Sequence, residues 1–225
     1  MSGAVALVSG GLDSVTLAHL LARDEPGPLH LVAVDYGQRH VRELDCARRC
    51  AERLNARIDV VDLRSLQPLL AGSALTDAAI DVPSGHYADE TMRATVVPNR
   101  NAVLLAVAYA AAVADGAGMV VTAVHAGDHP VYPDCRPVFI DAFNRMETLA
   151  TEGFCTPDIL RAPFVAWSKT DIVRMGAELG VPFADTWSCY RGGARHCGTC
   201  GTCVERREAF SEAGVDDPTE YEAAQ

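Results

Sequence analysis

The chain has 225 residues, 49 % of them hydrophobic and 22 % charged, and its net charge is −11. This length is enough for one large α/β domain with a small appendage, and the acidic balance disfavours direct nucleic-acid binding, which depends on neutralising phosphates. The sequence has no run of about 18 apolar residues to span a membrane, and its N-terminus lacks the basic stretch of a signal peptide. We therefore expect a cytoplasmic protein that acts on small molecules and has no membrane partner.

The first predicted elements are a strand, a turn of small residues and a helix. Residues 4–8 form an apolar run, residues 9–14 read Ser-Gly-Gly-Leu-Asp-Ser, and leucines follow at helical spacing. Such a junction gathers backbone N–H groups, hydroxyls and the positive end of a helix, and therefore binds anions, phosphate above all. The two glycines let the backbone approach the ligand closely. The alternative interpretation is an ordinary helix start capped by Asp13 or Ser14.

Strands and helices then alternate along the chain. The further predicted strands are residues 30–36, 57–61 and 119–124, the predicted helices are residues 38–54 and 101–115, and residues 66–95 are predicted to form a loop. This alternation is typical of an α/β fold with a doubly wound, mostly parallel sheet. Ligands bind such sheets beyond the carboxyl ends of the strands. The segments expected there are residues 9–14, 35–40, 98–101 and 125–136.

Four of the eight cysteines have the spacing of a metal site near the C-terminus. They are Cys189, Cys197, Cys200 and Cys203, and the glycines among them allow tight turns that bring thiolates together. Four thiolates favour a structural zinc ion, with an iron–sulfur cluster as the rival. We therefore predict an α/β domain over residues 1–185 and a zinc-binding segment with a C-terminal tail over residues 186–225.

Lys169 is the single lysine among 19 basic residues. It lies at a predicted helix start, and its compact ammonium differs from an arginine fork beside a phosphate. The position favours a role in neutralising the α-phosphate of a nucleotide. The alternative is a solvated charge at a helix start.

The small-residue turn resembles the pyrophosphate loop of the N-type ATP pyrophosphatases, and later motifs make the resemblance specific. Together they resemble the 7-cyano-7-deazaguanine synthase (QueC) family over essentially the whole chain. The motifs are Asp-Tyr-Gly-Gln-Arg-His at 35–40, Val-Pro-Asn-Arg-Asn at 97–101, Tyr-Pro-Asp-Cys-Arg at 132–136, Lys-Thr-Asp-Ile at 169–172, Thr-Trp-Ser-Cys-Tyr at 186–190, the closing cysteines, and Asp-Pro-Thr at 217–219.

The resemblance implies an ATP-dependent ligase that forms C–N bonds. ATP adenylates the carboxylate of 7-carboxy-7-deazaguanine, ammonia displaces AMP to give an amide, and a second ATP converts the amide to the nitrile. Each activation releases pyrophosphate, so Mg²⁺ is expected with ATP to stabilise the growing charge. The resemblance also implies a homodimer.

Roles can be assigned to individual residues as hypotheses. The residues expected to bind ATP are Val8, Ser9, Gly10, Gly11, Leu12, Asp13, Ser14, Val15, Thr16, Leu17, Ala18, Asp35 and Tyr36, with the adenine held by the backbone at residues 34–36 and Asp13 as a Mg²⁺ ligand or helix cap. The expected catalytic residues are Lys169, Asp13, Ser14 and Arg100. The expected substrate-binding residues are Arg39, His40, Arg100, Asn101, Asp128, Tyr132, Asp134 and Arg136, with Asp134 accepting hydrogen bonds from the guanine-like edge. His40 and His125 are candidates for proton transfer or for core packing.

One stretch departs from the family pattern. Residues 125–131 read His-Ala-Gly-Asp-His-Pro-Val where the family usually has Asn-Ala-Val-Asp-Tyr-Ser-Gly, and Asn99 replaces a glycine. This leaves open a ligase that stops at the amide or couples the acid to another amine. The broader alternatives are an ammonia-dependent amidase such as NAD synthetase, a tRNA thiolase, and a zinc-stabilised nucleotide-binding module without turnover.

Overall fold

The computed structural model describes residues 3–87, 89–155 and 159–223, and within them the chain forms one parallel sheet. The strands are β1 (Ala4–Leu7), β2 (Leu29–Asp35), β3 (Arg57–Asp62), β4 (Met119–Val121) and β5 (Leu160–Arg161). Their order is β3-β2-β1-β4-β5, and every neighbouring pair is parallel. The predicted fold class is therefore confirmed.

Helices connect these strands and cover both faces of the sheet. They are α1 (Leu12–Asp24), α2 (Glu43–Leu54), α3 (Asp89–Met92), α4 (Arg100–Asp115), α5 (Pro137–Ala150), α6 (Lys169–Glu178) and α7 (Gly201–Ala213). Short 3₁₀ helices occur at Arg64–Leu70, Arg93–Thr95, Ala126–Asp128, Pro133–Cys135 and Phe183–Asp185. One core layer includes Leu105, Tyr109 and Phe143, from α4 and α5. The other includes Leu17, Ile172 and Phe210, from α1, α6 and α7.

Several predicted boundaries were wrong. Helix α2 begins at Glu43 rather than near residue 38, because the amide of Gln38 folds back on the backbone of Val34 and Tyr36 instead of continuing a helix. The predicted loop at 66–95 contains helical turns, and strand β4 ends at Val121 rather than residue 124. Helix α5 and the two-residue strand β5 were not predicted.

The strand order reverses at β1, which lies between β2 on one side and β4 on the other. The chain segments that leave these three strands therefore meet at one edge of the sheet, where ligands of such folds bind. These segments begin at residues 8, 36 and 122. The fold thus brings the phosphate-loop motif together with the motifs after β2 and β4.

The C-terminal segment packs directly on this framework. The guanidinium of Arg206 in α7 is fully buried, and it donates hydrogen bonds to Thr186 Oγ1 at 2.7 Å and to Asp217 Oδ1 at 3.1 Å. Phe210 contacts Phe183 edge-on, with ring centroids 4.9 Å apart. The division into two units at residue 185 stays a prediction.

Candidate functional site

The loop after β1 is held in shape by its own two serines. Ser9 Oγ lies 3.2 Å from Ser14 Oγ and accepts a hydrogen bond from the Gly11 N–H at 3.1 Å. Ser14 Oγ accepts from the Gly10 N–H and donates to the Gly11 carbonyl. No side-chain hydrogen bond caps α1 at its N-cap residue, Gly11. Among the described residues, the N–H groups of the first turn of the helix therefore remain available to an anion. Binding of phosphate there stays a prediction.

Gly10 is the residue on which this loop depends for its close packing. Its φ is +96°, and a Cβ there would lie 1.9 Å from the Glu43 carbonyl oxygen and 2.7 Å from the Ala47 nitrogen. The loop therefore rests directly on the backbone of α2, which only glycine allows. On its other side the Trp187 N–H donates to the Gly10 carbonyl at 3.0 Å.

A charged cluster lies beside the loop at the start of α6. Lys169 Nζ lies 2.7 Å from Asp13 Oδ2 and 3.4 Å from Glu205 Oε2. Burial opposes ionisation of Asp13, but the ammonium of Lys169 outweighs this effect and lowers the pKa of the carboxyl. Burial also disfavours the charged form of Lys169, yet Asp13 and Glu205 raise its pKa above the ordinary value. Both members of the central pair are therefore charged at neutral pH.

Helix α6 presents this lysine because its N-terminus is firmly capped. Ser168 Oγ accepts from the Asp171 N–H at 3.1 Å, and the Asp171 carboxylate accepts from the Ser168 N–H at 3.0 Å. This reciprocal capping box fixes the first turn, in which Lys169 is the first helical residue. The predicted helix start at this position is confirmed.

The loop and the charged cluster open into a cavity of about 220 Å³. Its opposite wall is aromatic, with Tyr36, Tyr132 and Tyr190 on it. The His40 ring lies 5.3 Å from the Tyr190 ring, and the Arg100 guanidinium lies 6.0 Å from the centre of the Tyr132 ring. Aromatic faces and a guanidinium plane are surfaces on which a flat heterocycle stacks.

Most of the predicted site residues line this cavity. They are Val8, Ser9, Gly11, Leu12, Asp13, Ser14, Tyr36, His40, Arg100, Asn101, Asp128, Tyr132 and Lys169. Burial, with a smaller effect of Arg100, lowers the pKa of His40 to about 3, so this imidazole is neutral in the folded protein. The cavity-lining residues that follow β1, β2 and β4 meet because these strands end at one edge of the sheet. The first turns of α4 and α6 add Arg100, Asn101 and Lys169.

Other predicted residues have different surroundings. The Arg39 guanidinium donates to the carbonyls of Asp77 and Ile80, and Arg136 Nε donates to the His129 carbonyl. The side chains of Val15, Thr16, Leu17 and Ala18 are buried on α1, and Asp35 Oδ1 accepts from the Gly37 N–H.

Asp134 also has a local partner. Its Oδ2 accepts from the Asn101 N–H at 3.0 Å, at the start of α4. The carboxylate thus supports the helix end that carries Arg100 and Asn101. Its predicted contact with a guanine-like edge stays a prediction.

The backbone edge expected to hold adenine has a side-chain partner in the structure. Gln38 Oε1 accepts from the Tyr36 N–H at 2.9 Å, and Gln38 Nε2 donates to the Val34 carbonyl at 3.1 Å. The same Nε2 donates to Glu43 Oε1 at 3.0 Å. Adenine would meet this edge directly only after Gln38 turns away.

Several residues that line the cavity were missed by the sequence reasoning, among them two glutamates and a tyrosine. Glu43, Tyr87 and Glu205 all line the cavity. Burial raises the pKa of Glu43 to about 8 and raises that of Glu205 above its ordinary value. Glu205 lies two residues after Cys203, the last of the four clustered cysteines. This proximity is the signal in the sequence that could have placed Glu205 near the site.

The four predicted cysteines converge into a buried group. Their sulfur atoms all lie within 4.8 Å of one another, and Cys197 Sγ lies 4.0 Å from Cys203 Sγ. None of these thiols is in a disulfide. Four ligands about 2.3 Å from one tetrahedral ion would be about 3.8 Å apart, so the group can hold a single metal ion. Ser188, Tyr190 and Thr202, neighbours of these cysteines, line the cavity.

The fold and the loop define a class of proteins, the adenine nucleotide alpha hydrolase-like α/β proteins. Comparison with solved structures supports this class. The NMN synthetase of Francisella tularensis superposes with a TM-score of 0.52 at 20 % identity, covering 99 % of this chain and 79 % of that one. The NH₃-dependent NAD synthetase of Campylobacter jejuni gives a TM-score of 0.50 at 15 % identity, covering 81 % of this chain and 66 % of that one.

The sequence comparisons identify the family. The model of the queuosine biosynthesis protein QueC matches residues 3–214, so the chain belongs to the QueC family. The 7-cyano-7-deazaguanine synthase of Rhizobium rhizogenes is 58 % identical over 218 residues, 97 % of this chain and 91 % of the relative. The protein of the same name from Rhizobium meliloti is 59 % identical over 219 residues, again 97 % and 91 %. The chain is thus an enzyme of a queuosine-biosynthesis family.

None of the helices in the described part of the chain has both the length and the apolar character needed to cross a bilayer. The longest apolar helix found, α4, ends at Asp115 after 16 residues.

Proposed function

We propose that the protein converts 7-carboxy-7-deazaguanine and ammonia to 7-cyano-7-deazaguanine, using ATP at two successive steps. Adenylation of the acid is followed by amide formation, and adenylation of the amide is followed by nitrile formation. Each step releases AMP and pyrophosphate. One observation supports this function above the others: the phosphate loop and Lys169 open into the same cavity as a wall of aromatic side chains. One cavity therefore offers partners for both a triphosphate and a flat base.

The nucleotide half of the reaction is assigned to the loop and the charged cluster. Backbone N–H groups at residues 12–14, in the first turn of α1, and the hydroxyls of Ser9 and Ser14 would bind the departing pyrophosphate. Lys169 would donate to the α-phosphate as charge builds on the oxygen that bridges to the leaving group. Fixed donors at that point stabilise the transition state because they need no reorganisation during the reaction.

Mg²⁺ fits this half of the site. Asp13 Oδ1 is buried without a hydrogen-bond partner among the described residues, and carboxylate oxygens are ligands that Mg²⁺ prefers. Asp13 would therefore hold the ion together with the phosphates of ATP. Bound there, Mg²⁺ would neutralise negative charge on the pyrophosphate.

Zinc fits the cysteine group. Four buried sulfurs within 4.8 Å match a closed tetrahedral thiolate site, whereas an iron–sulfur cluster distributes its four cysteines over two or four irons and so spreads the sulfurs further apart. We assign the ion a structural role, because all four thiolates are used and no position stays open to substrate. Metal analysis of the purified protein distinguishes zinc from iron.

The base half of the reaction is assigned to the aromatic wall. Tyr132 and Tyr190 would stack on the deazaguanine, and Arg100 with Asn101, at the start of α4, would bind its carboxylate or the adenylate. Arg100 suits this role because a guanidinium donates two parallel hydrogen bonds to a carboxylate. Asp128, which accepts from Tyr87 Oη at 3.3 Å, lies between this wall and the charged cluster.

The direct test is to incubate the protein with ATP, Mg²⁺, ammonium and 7-carboxy-7-deazaguanine, and to identify the base by mass. The nitrile, formed with two AMP per base, is the expected product. An amide as the final product would instead support the second candidate function, which the unusual residues 125–131 favour. Absence of AMP with this acid would contradict the proposed substrate.

We also propose a cytoplasmic homodimer. Helix α5 and the turn after it expose a row of large apolar side chains, with Val138, Leu149 and Phe154 each at least 70 % exposed. A second copy related by a two-fold axis would cover this face with the same face. Light scattering after size exclusion should give a dimer mass for the wild type and a monomer for Leu149→Glu.

A further inference from the structure

His125 is a buried side chain to which the proposed reaction gives no role. Its ring contacts a hydrogen-bond donor at each nitrogen: the Gly127 N–H lies 3.1 Å from Nδ1, and Lys169 Nζ lies 3.2 Å from Nε2. A neutral imidazole has only one acceptor nitrogen. Only one of these two contacts can therefore be a hydrogen bond to the imidazole.

The contact with Gly127 determines which nitrogen is the acceptor. His125 is the N-cap of the 3₁₀ helix Ala126–Asp128, and its ring accepts the Gly127 N–H. A Cβ at residue 127 would lie 2.9 Å from His125 Cε1 and 3.2 Å from Glu205 Oε1, so the ring packs tightly against this glycine. The Gly127 N–H is fixed in the backbone and always points its hydrogen at Nδ1, whereas the Lys169 ammonium can turn its hydrogens away from Nε2. Nδ1 is therefore the acceptor, and Nε2 carries the proton.

The charged groups around Nε2 agree with this tautomer. Asp128 Oδ2 lies 3.6 Å and Asp13 Oδ2 lies 3.8 Å from Nε2. These distances are too long for hydrogen bonds, but the two negative charges favour a proton on this nitrogen. Lys169, on α6, contacts the same nitrogen, and Glu205, on α7, contacts Lys169. An unprotonated Nε2 would accept a hydrogen bond from the Lys169 ammonium and so compete with a phosphate for it. A protonated Nε2 does not accept that hydrogen bond.

The hydrogens of Lys169 can then be assigned one by one. An ammonium has three N–H donors, of which one points to Asp13 at 2.7 Å and one to Glu205 at 3.4 Å. Because His125 does not accept the third, it remains free. The loop at residues 9–14 lines the same cavity as Lys169, so a nucleotide phosphate bound there would accept this hydrogen.

We propose that His125 is a positioning residue, fixed by Gly127 in the Nε2–H tautomer, that keeps one hydrogen of Lys169 available to a nucleotide phosphate. The inference rests on the proposed contact between Lys169 and ATP. It assigns His125 neither proton transfer nor a mere packing role. It also gives Gly127 a specific task, since a larger residue would push the ring off the backbone N–H.

The tautomer can be measured without any activity. Two-bond ¹H–¹⁵N correlation spectra of the ¹⁵N-labelled protein show which ring nitrogen carries the proton, and His125→Asn identifies the signal. The expected result is a proton on Nε2 of His125. A proton on Nδ1 would overturn the inference.

Two substitutions of His125 that are nearly isosteric with each other test the effect on Lys169, and the quantity measured is the dissociation constant of MgATP. In His125→Asn, Oδ1 can accept the Gly127 N–H and the amide offers Lys169 only hydrogens, so the constant should change less than about threefold. In His125→Asp, a carboxylate captures the third hydrogen, and binding should weaken about 10- to 100-fold, the usual effect of losing one charged hydrogen bond.

His129→Asp is the matched control for added charge. It places the same charge on the same loop, at a side chain whose Nε2 has no hydrogen-bond partner among the described residues. Equal weakening in His125→Asp and His129→Asp, or weakening in His125→Asn equal to that in His125→Asp, would overturn the inference. Because MgATP binding needs neither acid nor ammonia, these outcomes are distinct from failure of the proposed reaction.

Discussion

Replacing Lys169 by methionine tests the proposed chemistry most directly. The Lys169 side chain is 16 % exposed, and the substitution keeps its apolar stem and removes the ammonium that lies 2.7 Å from Asp13. A fixed donor aimed at charge that develops during the reaction contributes about 2.7–4 kcal/mol to transition-state stabilisation. The expected result is a fall in kcat/KM for ATP of about 10²- to 10³-fold.

The same change should have a smaller effect on folding. Asp13 loses its partner, at a cost of about 1–3 kcal/mol, and the net negative charge of the cluster grows. Glu205 can offset part of this cost by binding a proton, because burial already raises its pKa. The free energy of unfolding of a native domain is about 5–15 kcal/mol, so the variant should remain folded at 25 °C.

The assay is pyrophosphate release with MgATP, ammonium and 7-carboxy-7-deazaguanine, with thermal denaturation measured on the same samples. Lys169→Arg is the control, because arginine keeps the positive charge and changes the shape of the group that carries it. The activity of Lys169→Arg should lie between those of the methionine variant and the wild type. Activity of Lys169→Met within about threefold of the wild type would refute the reasoning. So would an activity loss that matches the fraction of unfolded protein.

Three further predictions concern stability and the metal. Arg206→Met should lower the free energy of unfolding, measured by urea denaturation, by about 3–5 kcal/mol, because it removes a fully buried guanidinium and leaves the Asp217 carboxylate, 12 % exposed, without its counter-charge. The matched variant Arg207→Met, at the exposed neighbouring position, should change the same free energy by less than about 1 kcal/mol. Burial raises the pKa of Glu43 to about 8 from an ordinary value of 4.5. The contribution of Glu43 to the free energy of unfolding is therefore complete below pH 4.5, and it is lost by up to about 1.4 kcal/mol per pH unit as the pH rises to 8. Glu43→Gln should remove this pH dependence of stability. The control variant Glu52→Gln, at an exposed position, should retain it. Cys200→Ser should release the bound metal and lower the melting temperature, and an unchanged metal content would contradict the four-thiolate site.

Residues next to one another in the sequence gave the most secure predictions. The run Ser9–Ser14 after an apolar strand specified a strand, a turn of small residues and a helix, and the structure has all three, with Gly10 at φ +96°. The cysteine spacing likewise predicted a group whose sulfurs meet within 4.8 Å. These features could be predicted because backbone geometry and short-range spacing determine them.

Residues that act through distant partners were harder to place. Arg39 and Arg136 belong to motifs, yet their guanidinium groups donate to backbone carbonyls. The sequence has no signal that separates an arginine that holds a loop from one that holds a substrate. The hydrogen bonds of the Gln38 amide with the backbone of Val34 and Tyr36 could not be predicted either, because they depend on a turn whose shape comes from packing.

The sequence by itself determined the α/β class, the small-residue loop after β1, the convergence of four cysteines and the unusual status of Lys169, because each follows from local spacing or composition. The tertiary structure alone decided which groups surround that lysine. Asp13, His125 and Glu205 come from three separate parts of the chain, and they meet within 3.4 Å of its ammonium only after β1, β4, α6 and α7 have packed. Charge and tautomer at such a point depend on every neighbour at once, and these neighbours are set by the packing of the whole domain.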